Sequence, residues 1–228
     1  MWVKICANTN VEDATLAARL GADAVGFVFA PSKRRVTAEQ VAQISPRLPP
    51  TVERVGVFES RDAAEIERIV VLAGLNAIQL HSDFDIELLE QLSHRMGAQF
   101  ALIQTLHWTV GPGGQSGSSA NGFSQSVSDL KNFNSRRHIR VLVDSKIGGA
   151  SGGTGVPFDW DAAAAAFADA RAAGLELIAA GGLSPDNVGQ AIRRLTPWGV
   201  DVATGVEATP GRKDPARLAS FLQRAHGD

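Results

Sequence analysis

Leu175-Glu176-Leu177-Ile178-Ala179-Ala180 runs straight into Gly181-Gly182-Leu183, and a stretch of helical spacing, Ser184–Leu195, follows. A short apolar run, a glycine turn and a helix make one βα unit, and the whole chain repeats it. Working outward, the other strand candidates are Val3–Cys6, Ala24–Phe29, Val52–Phe58, Ala77–His81, Gln99–Leu106, Ile139–Asp144 and Gly199–Ala203. Between them lie Thr9–Leu20, Thr37–Ile44, Asp62–Ala73, Asp85–Met96, Asp159–Ala173 and Asp214–Ala225, with a weakly patterned fifth helix near Val127–Ser135. Several open on Ser, Thr or Asp, the residues that accept from the free N–H groups of a first helical turn. Thr9 and Glu12 have the spacing of a reciprocal capping box.

Strands alternating with helices require parallel pairing and right-handed crossovers. Eight such units in 228 residues favour an α/β fold closed as a single-domain (β/α)8 TIM barrel over residues 1–228. The alternative is an open doubly wound sheet, which the lack of a Gly-x-Gly-x-x-Gly after the first strand disfavours. One region breaks the rhythm. Residues 107–128 are rich in glycine and serine, a composition too polar to order itself by burial. It reads as a flexible insertion after the fifth strand, either a surface loop or a lid.

The bulk properties narrow the function classes. A net charge of −2 with no basic stripe argues against nucleic acid. Lys33-Arg34-Arg35 suits one small anion. No apolar stretch is long enough to span a membrane, and the N-terminus reads as a strand rather than a signal peptide. With a single cysteine, these features lead us to expect a cytoplasmic protein. The five histidines are scattered and no Cys/His grouping has zinc spacing, so a metal site is not expected. Oligomeric state is not legible in the chain.

In a parallel barrel all strands end at one mouth, where the chemistry is done. Cys6 and Asp144 both end apolar runs, so both would face that mouth, although a lone cysteine is also a common core residue. Gly182 and Gly205 follow strands seven and eight, whose loops commonly bind phosphate through backbone N–H groups. Plain turn chemistry is the simpler account of either glycine alone.

The chain resembles the phosphoribosylanthranilate isomerase family. The stretches that carry the resemblance include Val3-Lys4-Ile5-Cys6, Ser32-Lys33-Arg34-Arg35-Val36, Gln79-Leu80-His81, Leu142-Val143-Asp144, Gly181-Gly182-Leu183-Ser184 and Val200-Asp201-Val202-Ala203-Thr204-Gly205-Val206-Glu207. The resemblance implies an Amadori rearrangement of a phosphorylated aminoaldose, without cofactor or metal. It implies Asp144 as general acid, Cys6 as general base, Arg34 on the anthranilate carboxylate and Gly182 and Gly205 on the phosphate. Asp201 and His81 match family positions that would orient substrate, and Gly152-Gly153-Thr154-Gly155 would be a flap. Such a base needs a neighbouring cation to lower its pKa, and Lys4, two residues away on the same strand face, is placed to supply one. The chain departs from the family at Ala7, where glycine is usual, because alanine reaches positive φ only at a cost. Two other readings stay open: a histidine-pathway isomerase, which resembles a two-aspartate pair without a thiol, and a non-catalytic barrel that binds a phosphorylated metabolite.

Overall fold

The computed structural model describes residues 1–97, 100–110, 118–134, 139–147 and 160–227. Eight parallel strands close in sequence order into a barrel: β1 (Trp2–Ile5), β2 (Ala24–Val28), β3 (Glu53–Phe58), β4 (Ala77–Leu80), β5 (Ala101–Val110), β6 (Ile139–Ile147), β7 (Glu176–Ala179) and β8 (Gly199–Val202). Closure is by β1 against β8, with Trp2 to Ile5 in register with Gly199 to Val202. The expected (β/α)8 barrel is the observed fold.

Helices α1 (Val11–Arg19), α2 (Ala38–Ile44), α3 (Ala63–Ala73), α4 (Ile86–Met96), α5 (Ser118–Asn134), α6 (Trp160–Ala172), α7 (Val188–Leu195) and α8 (Pro215–His226) connect the strands. Asp62, Asp85 and Asp214 cap α3, α4 and α8 through their carboxylates, as their sequence positions predict. The Thr9–Glu12 capping box does not form. Asn10 caps α1 instead, accepting from the Asp13 N–H, because the Thr9 hydroxyl is spent on the Gly211 carbonyl at 2.6 Å. A full capping box does occur at Thr37 and Gln40.

The expected insertion is the other difference. β5 continues to Val110 and α5 begins at Ser118, so regular structure takes up much of the 107–128 segment. Residues 111–117 and the Gly152–Gly155 stretch lie outside the described residues. After β8 comes a small antiparallel hairpin, β9 (Glu207–Thr209) and β10 (Arg212–Lys213), that no sequence pattern announced.

The main core lies between sheet and helices. A second cluster fills the barrel, with Ala24, Val55, Ala77, Ile103, Leu142 and Ile178 contributed by successive strands. Below it the floor is sealed by Trp2 and Trp198, with the Arg140 guanidinium 5.2 and 4.7 Å from their ring centroids. Arg140 also pairs with Glu53 at 2.6 Å and Glu176 at 3.3 Å. With the floor plugged by packing, the open end is the mouth at the strands' C-termini.

Candidate active site

Cys6 lies just past the end of β1, where its N–H donates to the Val202 carbonyl at 2.8 Å. Its side chain and that of Lys4 occupy the space opposite Gly26 on β2. A Cβ added at Gly26 would stand 2.8 Å from the thiol sulfur and 3.0 Å from Lys4 Cε. Lys4 is fully buried, and its Nζ donates to Asp201 Oδ1 at 2.8 Å. Burial alone would lower the Lys4 ammonium, but Asp201 and Cys6 outweigh it and hold it above its usual range.

The thiol shifts the other way from what a base requires. Burial pushes Cys6 up; Lys4 pulls it down, Asp201 adds to the rise and Lys213 opposes it. Lys4 therefore acts in the expected direction and is outweighed, because a buried thiolate loses the solvation that stabilises its charge.

Ala7 adopts a φ of 61°, the left-handed conformation usual for glycine. Asn8 enforces it, donating from its N–H to the Gly26 carbonyl at 2.9 Å and from Nδ2 to the Ile5 carbonyl at 2.7 Å. Both bonds close the turn over the barrel end around Ala7. Left-handed geometry costs a non-glycine residue about 1–2 kcal/mol, and glycine's extra unfolded-state freedom returns about 0.4–1 of that. Ala7→Gly is therefore expected to raise stability by about 1 kcal/mol, read as a higher midpoint in urea. An unchanged or lower midpoint would mean that the turn relaxes around the alanine.

Asp144 is a buried residue of β6, in register with His107 of β5. His81 follows β4, and its ring meets that of His107 edge to face, with centroids 5.1 Å apart. Arg34, in the loop after β2, forks onto Glu207. Its Nε donates to Oε1 and Oε2 at 2.8 and 3.0 Å, and Nη2 donates to Oε2 at 2.6 Å. These bonds hold the guanidinium further above its already high range, against the desolvation that would lower it.

The loops after β7 and β8 press together. Gly181 and Gly182 have φ of 86° and 63°, and Asn187 fixes their turn by donating to the Gly182 carbonyl at 2.9 Å and accepting from the Ser184 N–H at 2.8 Å. A Cβ on Gly205 would stand 1.9 Å from the Leu183 carbonyl oxygen, so the contact between loops exists only because that residue is glycine.

One pocket of about 240 Å³ opens at this mouth, the scale of a small-molecule site. Cys6, Arg34, His81, Asp144, Gly182 and Asp201 all line it. Gly205 does not. It lines an adjoining cleft that shares Gly182, Leu183 and Thr204 with the pocket. Glu207 and Lys213 carry no role in the sequence reading, yet both are buried under the site. Glu207 closes the quoted family stretch; for Lys213 we find no sequence signal. Among the described residues no group of three or more His, Cys, Asp or Glu side chains is arranged to hold a metal ion, and no helix is long and apolar enough to cross a membrane.

A barrel whose mouth joins a thiol, a carboxyl group, an arginine fork and paired glycine loops is the framework of a sugar-phosphate enzyme. The chain belongs to the N-(5'-phosphoribosyl)anthranilate isomerase family, whose model matches residues 3–109 and 118–224. The N-(5'-phosphoribosyl)anthranilate isomerase of Geobacter sulfurreducens is 40% identical over 229 residues, covering 99% of this chain and 98% of the relative. The crystal structure of phosphoribosyl anthranilate isomerase from Thermotoga maritima superposes with a TM-score of 0.81 at 34% identity, over 100% of both chains. A phosphoribosyl anthranilate isomerase solved with reduced 1-(o-carboxyphenylamino)-1-deoxyribulose 5-phosphate gives 0.78 at 33% identity, again over 100% of both.

Proposed function

We propose that this enzyme isomerises N-(5-phosphoribosyl)anthranilate to 1-(2-carboxyphenylamino)-1-deoxyribulose 5-phosphate, a step of tryptophan biosynthesis, with Asp144 as general acid and Cys6 as general base. The observation that carries the residue roles is the meeting of Cys6, Asp144 and Arg34 at one pocket. Asp144 gives its proton to the ribose ring oxygen as the C1′–O bond breaks, and the anilino nitrogen's lone pair forms the Schiff base. Cys6, as thiolate, takes the proton from C2′, and the electrons of that C–H bond move toward the nitrogen to give the enolamine. Tautomerisation places a proton on C1′ and leaves the ketone at C2′. Lys4 and Lys213 are the cations that favour the thiolate, against the burial that opposes it.

Arg34 holds the anthranilate carboxylate, which its planar donors fit. The β7 and β8 loops hold the phosphate at the far end through Gly182 and Gly205, and Asp201 and His81 line the path between. From the single cysteine we infer a reducing, cytoplasmic setting for the reaction.

Loss of phosphoribosylanthranilate fluorescence on adding the purified protein tests the activity, and absence of turnover by a folded sample would sink it. Two variants test the orientation. Arg34→Lys keeps the charge but loses the fork, so only ligands with the aryl carboxylate weaken. Gly205→Ala drives a methyl into the Leu183 carbonyl and parts the two loops, so every phosphorylated ligand weakens, inorganic phosphate included. Each loss is expected to be about tenfold to a hundredfold, the scale of a charge-assisted hydrogen bond, measured by calorimetry. Equal weakening of both ligand types by Arg34→Lys would put Arg34 at the phosphate and reverse the substrate.

A further inference from the structure

We infer that Glu207 and Lys213 are positioning residues that set how Arg34 presents its fork, an inference that rests on Arg34 being the carboxylate clamp. A guanidinium has two edges that can grip a carboxylate in parallel: the side edge through Nε and Nη2, and the end edge through Nη1 and Nη2. Glu207 occupies the side edge completely. Arg34 lines the pocket with Nη1 and the second N–H of Nη2 as its remaining donors. The substrate carboxylate is therefore gripped at the end edge, by a fork already locked in one plane.

Glu207 is itself anchored. Its Oε1 accepts from the Gly211 N–H at 3.2 Å, and Lys213 Nζ stands 3.6 Å away. The same Nζ donates to the Cys6 carbonyl at 2.6 Å and to the Ala203 carbonyl at 3.2 Å. Lys213 and Glu207 are almost entirely buried, at 0% and 5% side-chain exposure. A buried ion pair stabilises poorly by itself, whereas one that joins the loops after β1, β2 and β8 fixes relative position. The chain Cys6 carbonyl–Lys213–Glu207–Arg34 ties the base to the clamp. That tie sets where the sugar's C2′ sits when the aromatic ring is held.

The experiment compares Glu207→Gln, Arg34→Met and the double variant, using two probes. One is the reduced carboxyphenylamino-deoxyribulose 5-phosphate; the other is its phenylamino counterpart, identical but for the missing carboxylate. Glu207→Gln is expected to weaken the first by about tenfold and leave the second unchanged. In the Arg34→Met background Glu207→Gln should cost the first probe nothing more. Turnover should fall through kcat as well as KM, because the sugar shifts relative to Cys6. Equal weakening of both probes would reduce Glu207 to a structural residue, and tighter binding of the first would make it a competitor for the fork. Either result overturns the inference while leaving the clamp intact. The clamp itself fails, separately, if Arg34→Met does not discriminate between the probes. Should Glu207→Gln not fold, Glu207→Asp keeps the charge but withdraws it by one methylene; the same selective loss supports positioning, and unchanged affinity for both probes overturns it.

Discussion

On the proposed roles, Cys6→Ala and Asp144→Asn are each expected to cut turnover by about 10²–10⁴-fold, the usual contribution of a general acid or base, with affinity for the reduced product changing little. Alanine cannot accept the C2′ proton, and an asparagine amide has none to give the ring oxygen. Neither group carries the phosphate or the carboxylate, so binding survives. Substrate fluorescence gives kcat, calorimetry gives affinity and circular dichroism checks the fold. Near-normal turnover in either folded variant would show that the role belongs elsewhere. The pH dependence follows from the raised position of the thiol. The base works as thiolate, so kcat/KM of the free enzyme climbs with pH through a value above the ordinary thiol range. Alkylation of the single cysteine by iodoacetamide follows the same titration. An alkylation limb inside or below that range would show that the thiol is not raised, and a kcat/KM limb there without a matching alkylation limb would assign that limb to another group.

What could be read from the chain was what depends on near neighbours. Each strand is a short apolar run, and Asp62, Asp85 and Asp214 mark helix starts because a cap bonds within three residues. Cys6, Asp144, Gly182 and Asp201 reach one pocket because a parallel barrel brings strand ends together whatever lies between. The failures share a cause. Thr9 has a partner three residues on but bonds to a carbonyl 202 residues away. Glu207 and Lys213 sit on strands of three and two residues, too short for any periodicity, and the Arg34–Glu207 pair spans 173 positions. For Cys6, Lys4 was visible two residues away, but burial comes from the whole barrel, and burial sets the sign of its shift. Ala7 was the reverse case. The turn's demand for positive φ was legible from the family's glycine, and the alanine meets it under strain.

Asp201→Leu is expected to destabilise the fold by about 3–5 kcal/mol, because it strands the Lys4 ammonium as an uncompensated buried charge. Lys4 is fully buried and Asp201 Oδ1, at 2.8 Å, is the one salt-bridge partner it has among the described residues. The Lys4 pKa is raised in the folded state, so the pair's stabilisation is fully present below the unfolded lysine's pKa and lost only as pH rises through the folded value. In the parent both lie above about pH 10, but in Asp201→Leu burial is left to lower the Lys4 pKa, so the penalty measured in urea should shrink as pH rises and the stranded lysine gives up its proton. Lys4→Met/Asp201→Leu removes both charges and fills their volume with apolar atoms, an exchange that is often neutral or stabilising. Its midpoint should return close to that of the parent. A double variant as unstable as the single one would mean that shape, not charge, is what Asp201 supplies. Turnover, in contrast, should stay low in the double variant. Lys4 outranks Asp201 among the influences on the thiol, so removing both drives Cys6 still higher and leaves less thiolate at neutral pH. Stability regained without activity regained would separate two roles for this pair: an ion pair that the barrel tolerates, and a cation that moves the proposed base toward the thiolate.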